Sequence, residues 1–262
     1  MPVEPLSPST VVTRLRAAGC VFAEDEAELL LATADGPAEL AAMVERRVSG
    51  LPLEHVLGWA GFHGLRVAVD PGVFVPRRRT EFLVQQALAL TDAASPAVVV
   101  DLCCGSGALG AALASALPHA ELHAADIEPA AVRCARRNVA ALGGLVYEGD
   151  LFAPLPPSLR GRVDILAANV PYVPSDEVGL LPPEARDHEP LVALDGGSDG
   201  LDIMRRVALE APDWLAPGGT LLVETSERQV PGALAAMTAG GLRARLVTSD
   251  ELYANVVTGM RV

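Results

Sequence analysis

The sequence has few basic residues and few cysteines, and it has no long apolar run. Its 262 residues include 20 Lys and Arg against 33 Asp and Glu, which gives a formal net charge of −13. Broad binding to a phosphate backbone requires many Lys and Arg side chains. We therefore do not expect a nucleic-acid partner, whereas a protein partner or a local basic patch is compatible with this charge.

Cysteine and histidine are both sparse. The four cysteines (Cys20, Cys103, Cys104 and Cys134) form neither a disulfide framework nor a zinc pattern. The five histidines are dispersed, so we expect no metal site. No apolar run is long enough to span a bilayer, and the first residues lack the basic and apolar regions of a secretory signal. These absences predict a protein of the reducing cytoplasm without a membrane segment, and they leave the oligomeric state open.

Apolar spacing divides the chain into three parts. Half of the residues are apolar, so a sizeable core can form. Residues 1–52 have helical spacing after a cap at Ser9–Thr10, and again at 25–33 and 37–48. They predict a small helical domain that either stabilises the main domain or recognises a partner. Residues 53–75 predict a β-hairpin linker with extended structure already at 53–57, and residues 76–262 form the main domain.

The core of the main domain is a strand, a tight loop and a helix. Three valines, residues 98–100, run into Asp101, and an alanine-rich helix follows the loop, as at the start of a βαβ unit. The loop lacks the full G-x-G-x-x-G fingerprint, because Cys103 lies near the position of the first glycine. By itself it is also compatible with a plain strand-to-helix turn. Its residues are Cys103, Cys104, Gly105, Ser106 and Gly107.

Acidic residues end the next two predicted strands. The strand at 120–125 leads to Asp126, whose carboxylate can accept two hydrogen bonds from ribose hydroxyls. Asp126 can also cap the helix that follows it. The strand at 144–150 ends at Asp150, which together with the backbone of Leu151 could bind an adenine edge. With Ile127, these residues and the glycine loop predict a site for an adenosine-type ligand.

A fourth predicted strand, residues 162–168, is almost wholly apolar, as buried parallel strands are. It runs into Asn169-Val170-Pro171-Tyr172 at the carboxyl edge of the sheet, where α/β proteins bind ligands. The Asn169 side-chain oxygen and the Val170 carbonyl can accept both N–H groups of a planar –NH2. Pro171 stiffens the loop, and Tyr172 can lie against the flat group. The alternative is a proline-rich turn capped by Asn169.

Together these motifs resemble the HemK/PrmC-type protein-(glutamine-N5) methyltransferases, which are class I S-adenosylmethionine enzymes. The family's Asn-Pro-Pro-Tyr motif corresponds to residues 169–172, and its I-P-R-x-x-T-E segment corresponds to residues 75–81. Residues 50–58 are similar to its G-x-P-x-x-Y-x-x-G region, and residues 189–201 to the stretch after the catalytic loop. The resemblance covers nearly the whole chain. The sequence differs from the family pattern at Cys103–Cys104, Val170, Arg78–Arg79 and residues 224–226.

The resemblance implies an α/β fold, a Rossmann-like seven-stranded sheet of the class I methyltransferases with an antiparallel last strand inserted into it. It implies methyl transfer from S-adenosyl-L-methionine, which leaves S-adenosyl-L-homocysteine. The implied substrate is the glutamine of the Gly-Gly-Gln motif in a peptide-chain release factor, docked by the N-terminal helices. The implied catalytic residues are Asn169, Val170, Pro171 and Tyr172. The implied cofactor site comprises Cys103, Cys104, Gly105, Ser106, Gly107, Asp126, Ile127, Asp150, Leu151, Asn169 and Arg77.

Other functions fit parts of the same pattern. The acceptor could be another amide or amine, on a different protein, a nucleic-acid base or a small metabolite. The chain could also be a cofactor-binding paralogue without catalysis, although the intact Asn169, Pro171 and Tyr172 argue against this. The run Arg77–Arg79 either forms a solvated turn or contributes to the site, with Arg77 near the cofactor.

Overall fold

The N-terminal helices form a core of their own. The structure, a computed structural model, describes residues 6–91 and 94–262. The helices are α1 (Pro8–Ala17), α2 (Ala23–Thr33), α3 (Pro37–Val48) and α4 (Leu53–Leu57). Their apolar faces bury Leu15, Leu30 and Met43 against one another. In the described part of the chain, no helix has both the length and the apolar character needed to cross a membrane.

Two sequence predictions in this region are wrong. The cap of α1 is Ser7 rather than Ser9–Thr10, because Pro8 suits the first helical position and the Ser7 hydroxyl accepts from the Thr10 N–H at 3.2 Å. Residues 53–57 form α4 instead of extended structure. Pro52 precedes this helix, and Gly58 ends it in the left-handed region, donating to the Glu54 carbonyl at 2.8 Å.

The predicted β-hairpin follows α4. Strands β1 (Trp59–Phe62) and β2 (Leu65–Ala68) pair antiparallel across a two-residue turn. Both turn residues, His63 and Gly64, have positive φ, which gives the twist that two-residue hairpins require. The hairpin buries Phe62 in the core of the main domain, so it packs on that domain.

Within the described residues, the main domain is a seven-stranded sheet with helices on both faces. Its strands are β3 (Ala97–Leu102), β4 (Ala120–Asp126), β5 (Leu145–Glu148), β6 (Val163–Ala168), β7 (Leu215–Thr225), β8 (Arg243–Ser249) and β9 (Ala254–Met260). The strand order is β5-β4-β3-β6-β7-β9-β8, and β9 is antiparallel to both of its neighbours. The predicted fold, including the inserted last strand, is confirmed.

Two apolar layers hold the sheet. One layer lies under α5 (Glu81–Ala89), α6 (Ala108–Ala116) and α7 (Pro129–Val139), and it buries Leu83, Leu113 and Val132. The other lies under α9 (Asp202–Trp214) and α10 (Val230–Ala239), and it buries Trp214 and Met237. A short helix, α8 (Pro183–His188), belongs to the segment between β6 and α9. Because β3 to β6 are parallel, their carboxyl ends share one edge of the sheet.

A buried carboxyl lies at the end of β3. Asp101 is fully buried, and its Oδ2 accepts from the Gly110 N–H at 2.8 Å, whereas Oδ1 has no partner among the described residues. Gly110 permits this approach, since a Cβ there would lie 3.1 Å from Asp101 Oδ2. Burial raises the pKa of Asp101 to about 7; the Gly110 N–H acts in the opposite direction, and the charge of Asp126 raises the pKa further.

This pKa predicts a pH-dependent contribution to stability. The pKa of Asp101 is higher in the folded chain than its ordinary value of 3.8, so the folded state holds the proton more tightly. The resulting stability is complete below about pH 4 and is lost as the pH rises through about 7. Asp101→Asn imitates the protonated group. Between pH 5 and pH 8, the wild type should therefore lose of order 3 kcal/mol of unfolding free energy relative to this variant.

Urea unfolding of both proteins at the two pH values measures this difference. Comparing the wild type with the variant cancels the titration of all other groups that behave alike in the two proteins. A stability difference that is the same at pH 5 and pH 8 would contradict the prediction.

Candidate active site

The loops at the carboxyl edge enclose one cavity of about 520 Å³. Nearly all the residues predicted for the site lie in its wall: Arg77, Cys103, Cys104, Gly105, Ser106, Asp126, Ile127, Asp150, Leu151, Asn169, Val170, Pro171 and Tyr172. The wall also contains Pro52 and Glu54 from the N-terminal region, and Ile203 and Arg206 from α9, which the sequence did not indicate. A cavity of this size suits a small organic ligand.

Gly107 is the one predicted site residue that is not in the cavity wall. It has a φ of +76°, and a Cβ there would lie 3.0 Å from the Ala135 Cβ. Gly107 therefore allows the first turn of α6 to pack closely against α7. The structure gives it a packing role behind the loop.

The rest of the loop contains two residues with positive φ, Cys103 and Gly105. Cys103 has a φ of 54°, in the left-handed region that favours glycine, at the position where the family has a glycine. Gly105 has a φ of +53°, and the nearest atom to a Cβ there would be the Phe74 Cβ at 4.0 Å, so this face opens into the cavity. Burial raises the pKa of the Cys103 and Cys104 thiols well above the usual range, which keeps both protonated.

Asp126 connects the loop to the end of β4. One carboxylate oxygen accepts from the Gly105 N–H at 2.8 Å, and the other accepts from the Glu128 N–H at 2.9 Å. A carboxylate has about four acceptor positions, so about two remain for hydroxyl donors from the cavity. Burial raises the pKa of Asp126, and the backbone donors oppose that rise. The two roles considered from sequence, ligand acceptor and support of the helix start, are therefore compatible.

The predicted adenine side of the cavity combines apolar surface with one ion pair. Ile127 exposes about half of its surface, and Leu151 adopts a positive φ of 47° beside it in the cavity wall. Asp150 accepts from Arg206 of α9 at 2.6 Å. One of its carboxylate oxygens is thus already paired.

Asn169 supplies an unpaired polar atom at this edge. Its Oδ1 atom is buried and has no hydrogen-bond partner within residues 6–91 and 94–262. A buried acceptor without a partner is costly, unless a ligand supplies the missing donor. The loop that carries Asn169 is fixed further along, because Gln229 Nε2 donates to the Tyr172 carbonyl at 2.7 Å.

The Tyr172 hydroxyl belongs to a charged cluster that the sequence did not predict. Arg79 donates through Nη2 to this hydroxyl and through Nε to Glu224 Oε1 at 2.8 Å, and the hydroxyl donates to the same oxygen at 3.4 Å. The Glu224 side chain is only 3% exposed. Burial and the Glu224 charge raise the pKa of Tyr172, so the phenol stays a neutral donor.

Arg77 is anchored in the same way as Arg79. Its guanidinium donates to both carboxylate oxygens of Glu189 at 2.7 Å and lies 4.8 Å from the centre of the Phe74 ring. Glu189 also accepts from the Val75 N–H at 3.1 Å. The solvated-turn interpretation therefore fails for Arg77 and Arg79, because both are paired with buried carboxylates. It holds for Arg78, which is exposed and has no ion pair among the described residues.

The sheet order and the cavity at its carboxyl edge define the fold of class I S-adenosylmethionine methyltransferases. The model of the family "Methyltransferase small domain" matches residues 64–179. A solved methyltransferase from Pyrococcus furiosus aligns with a TM-score of 0.56 at 15% identity, covering 76% of this chain and 89% of that one. A T. thermophilus 16S rRNA N2 G1207 methyltransferase in complex with AdoMet and guanosine also aligns with a TM-score of 0.56. Its sequence identity is 18%, and the alignment covers 78% of this chain and 50% of that one. At these identities the two structures support the fold alone.

The family of this chain is shown by its similarity to curated relatives. A release factor glutamine methyltransferase from Geobacter sulfurreducens is 39% identical over 231 residues, which cover 86% of this chain and 80% of the relative. The Mycolicibacterium smegmatis enzyme of the same name is 39% identical over 244 residues, covering 87% and 86%. The chain belongs to the release factor glutamine methyltransferase family, and it is an S-adenosylmethionine-dependent N-methyltransferase. The sequence-based family and enzyme predictions are confirmed.

One relative that is named for a different substrate aligns over a similar span. The 4-amino-L-phenylalanine/4-methylamino-L-phenylalanine methyltransferase of Streptomyces pristinaespiralis is 36% identical over 237 residues, covering 87% of this chain and 80% of that relative. The same chain architecture therefore occurs with an aromatic amine as the named substrate.

Asp126→Ala tests the predicted cofactor site. The substitution removes the free acceptor positions in the cavity, so binding of S-adenosyl-L-homocysteine should weaken by roughly 1–3 kcal/mol, the scale of lost hydrogen bonds to a charged group. Isothermal titration calorimetry measures the change. Asp213→Ala, an exposed carboxylate at the end of α9, is the matched control and should bind like the wild type. Unchanged affinity in Asp126→Ala would remove this residue from the cofactor site.

Arg79→Ala tests whether the charged cluster positions Tyr172. Without Arg79 the Tyr172 hydroxyl loses its donor, so turnover should fall by roughly tenfold, while the Kd of S-adenosyl-L-homocysteine changes little. Arg79→Lys should restore part of the turnover. Arg79→Ala leaves the carboxylate of Glu224 buried without a cation. The double variant Arg79→Ala/Glu224→Gln removes this unpaired charge and is measured beside the single variant.

A double-mutant cycle separates positioning from general damage. If Arg79 acts through Tyr172, Arg79→Ala should cost much less turnover in a Tyr172→Phe background. The same loss of turnover in both backgrounds would contradict this role.

Proposed function

We propose that this protein transfers a methyl group from S-adenosyl-L-methionine to the side-chain amide nitrogen of a glutamine in a peptide-chain release factor. The relatives from G. sulfurreducens and M. smegmatis carry that activity in their names. The observation that carries the chemistry is the buried Oδ1 of Asn169 in the cavity wall, which has no hydrogen-bond partner among the described residues. A release factor as substrate would place the protein in the cytoplasm, as expected from the sequence.

The residues of the cavity fit the cofactor. Asp126 has acceptor positions left for the two ribose hydroxyls, and Ile127 and Leu151 give apolar wall for the adenine. The open face of Gly105, two residues after Cys103, leaves room for the amino-acid portion. When bound, the cofactor supplies an electrophilic methyl group on sulfur. The protein's task is then to bring a nitrogen into line with that carbon.

An amide nitrogen is a poor nucleophile, because its lone pair is delocalised into the carbonyl. Asn169 Oδ1 and the Val170 carbonyl would accept its two N–H groups and turn the lone pair towards the methyl group. The same two acceptors would stabilise the positive charge that develops on nitrogen. Pro171 restricts the loop, so the acceptors are in place before the substrate arrives. Tyr172 would lie against the flat amide.

Contacts of the N-terminal helices with the cavity rim support a role for them in selecting the protein substrate. Pro52 and Glu54 lie in the cavity wall, so this region forms part of the entrance. Arg47 of α3 is buried and pairs with Glu26 at 2.6 Å and with Glu184 at 2.6 Å, and Glu184 also lines the cavity. This ion-pair network links the helices to the rim segment around α8. We therefore extend the proposal to docking of the release factor across these helices.

A small aromatic amine is the second candidate substrate. The two acceptors at Asn169 and Val170 fit any planar –NH2, and the S. pristinaespiralis relative is named for such an amine. The two candidates differ in what lies outside the cavity, because only a protein would extend beyond the cavity wall onto α1, α2 and α3.

Asn169→Ala tests the proposed chemistry. Purified protein, cofactor and a release factor should yield a product that carries one added methyl group on a glutamine, located by tandem mass spectrometry. Asn169→Ala should lower turnover by about 10²-fold or more, the scale for removing one pre-placed polar group, and should change cofactor affinity much less. Asn169→Asp keeps an acceptor but adds a charge beside the sulfonium, and it should also lose turnover.

Three outcomes separate the alternatives. Methylation of 4-amino-L-phenylalanine with no methylation of the release factor would favour the aromatic amine. Methylation of neither, with intact cofactor binding, would contradict both proposals. If Asn169→Ala reduces the yield of folded protein but leaves its specific activity intact, Asn169 is a structural cap.

A further inference from the structure

We propose that a second groove, lined by Arg78, Arg79, Glu251, Leu252 and Tyr253, binds the polypeptide segment that flanks the methylated side chain of the protein substrate. We name it the flanking groove. The inference rests on the proposed function, because it needs a protein substrate. It adds a contact surface on the side of the sheet formed by β8 and β9, which no sequence motif indicated.

The flanking groove adjoins the catalytic cavity. It has a volume of about 270 Å³ and lies between the turn at Arg78–Thr80 and the loop that joins β8 to β9. Arg79 lines both spaces, and its guanidinium contacts the Tyr172 hydroxyl. A glutamine side chain reaches only about 5 Å from its Cα, so the substrate backbone must stay at the cavity rim. Extended chain advances about 3.3 Å per residue, which brings the next residues past Arg79 into the flanking groove.

Tyr253 has the features of a contact residue. It is 88% exposed, and its φ of 49° lies in the left-handed region, where a bulky residue is strained. Because Tyr253 is exposed, it gains no core packing that would offset this backbone strain. Strained residues of this kind are concentrated at binding sites. An exposed phenol ring provides a large, rigid contact area for a polypeptide.

The flanking groove places the cation of Arg78 on one wall and the carboxylate of Glu251 on the other, which fits an extended peptide segment. Arg78 is exposed, and it makes no ion pair with any residue in the described ranges. Arg79 is already neutralised by Glu224. In a chain with a net charge of −13, Arg78 therefore presents a local cation to an acidic side chain or a backbone carbonyl of the partner. Glu251 on the opposite wall can accept a backbone N–H.

Steady-state kinetics on the full chain test the inference. Tyr253→Ala and Arg78→Ala should each raise the KM for the release factor by roughly fivefold or more, the effect of truncating a contact residue. The kcat and the Kd of S-adenosyl-L-homocysteine should stay within about twofold of the wild type. Tyr253→Phe, which keeps the ring, should restore the KM. Arg78→Glu should raise the KM further and weaken its dependence on salt.

Two matched controls lie away from the flanking groove. Leu209→Ala removes an exposed apolar side chain on α9, at 71% against 88% for Tyr253, and Arg243→Ala removes an exposed arginine at the opposite end of β8. Both should leave the KM unchanged. If Tyr253→Ala and Arg78→Ala also leave it unchanged, the flanking groove is not a contact surface, although the proposed function stands. A fall in kcat and cofactor affinity together would indicate a structural role and overturn the inference. If the wild type does not methylate a release factor, the proposed function fails first, and this inference fails with it.

Discussion

The register of the parallel strands is the constraint on which the site depends. Leu102 of β3 lies opposite Ala125 of β4 and Ala168 of β6, and Asp126 lies opposite Glu148 of β5. The first residues beyond these strands therefore emerge at the same level of one edge. Hydrophobic burial on both faces fixes this register, because the strands bury valine, leucine and alanine side chains. Packing along the strands, away from this edge, therefore determines the positions of the loop, the acidic strand ends and Asn169.

Two buried carboxylates then hold the segments that pass over this edge. Glu189 is bound by Arg77 and Glu224 is bound by Arg79, so alternate residues of one short segment reach two different parts of the domain. A buried carboxylate without its cation would be strongly destabilising, which makes each pairing specific. Arg78 lies between the two pairs and is left for solvent or a partner. The three arginines thus have three different environments, although they are identical in sequence.

The sequence predicted the parts of the structure that local pattern determines. The strands at β3, β4 and β6, the helix 37–48 and the inserted last strand follow from apolar runs, caps and the family resemblance. The prediction of extended structure at 53–57 was wrong, because a five-residue segment with three apolar positions is compatible with both a helix and a strand. The Arg79–Tyr172 and Arg79–Glu224 contacts join residues 93 and 145 positions apart, which no spacing rule detects. Gly107 was predicted to contact the cofactor as part of the glycine loop, and its close approach to Ala135 on the following helix is a contact that the loop pattern does not reveal.

Under the proposed function, substrate specificity would come from outside the reacting centre. Asn169 and Val170 would present two acceptors, and two acceptors can bind the –NH2 of an amide or of an aromatic amine. The cavity of about 520 Å³ has to hold both the cofactor and the acceptor group, so only a slender side chain or a small ring can enter it. Discrimination between a protein and a free amino acid therefore depends on the rim. The rim is where this chain places Glu54, the Arg47–Glu184 pair and the cation of Arg78.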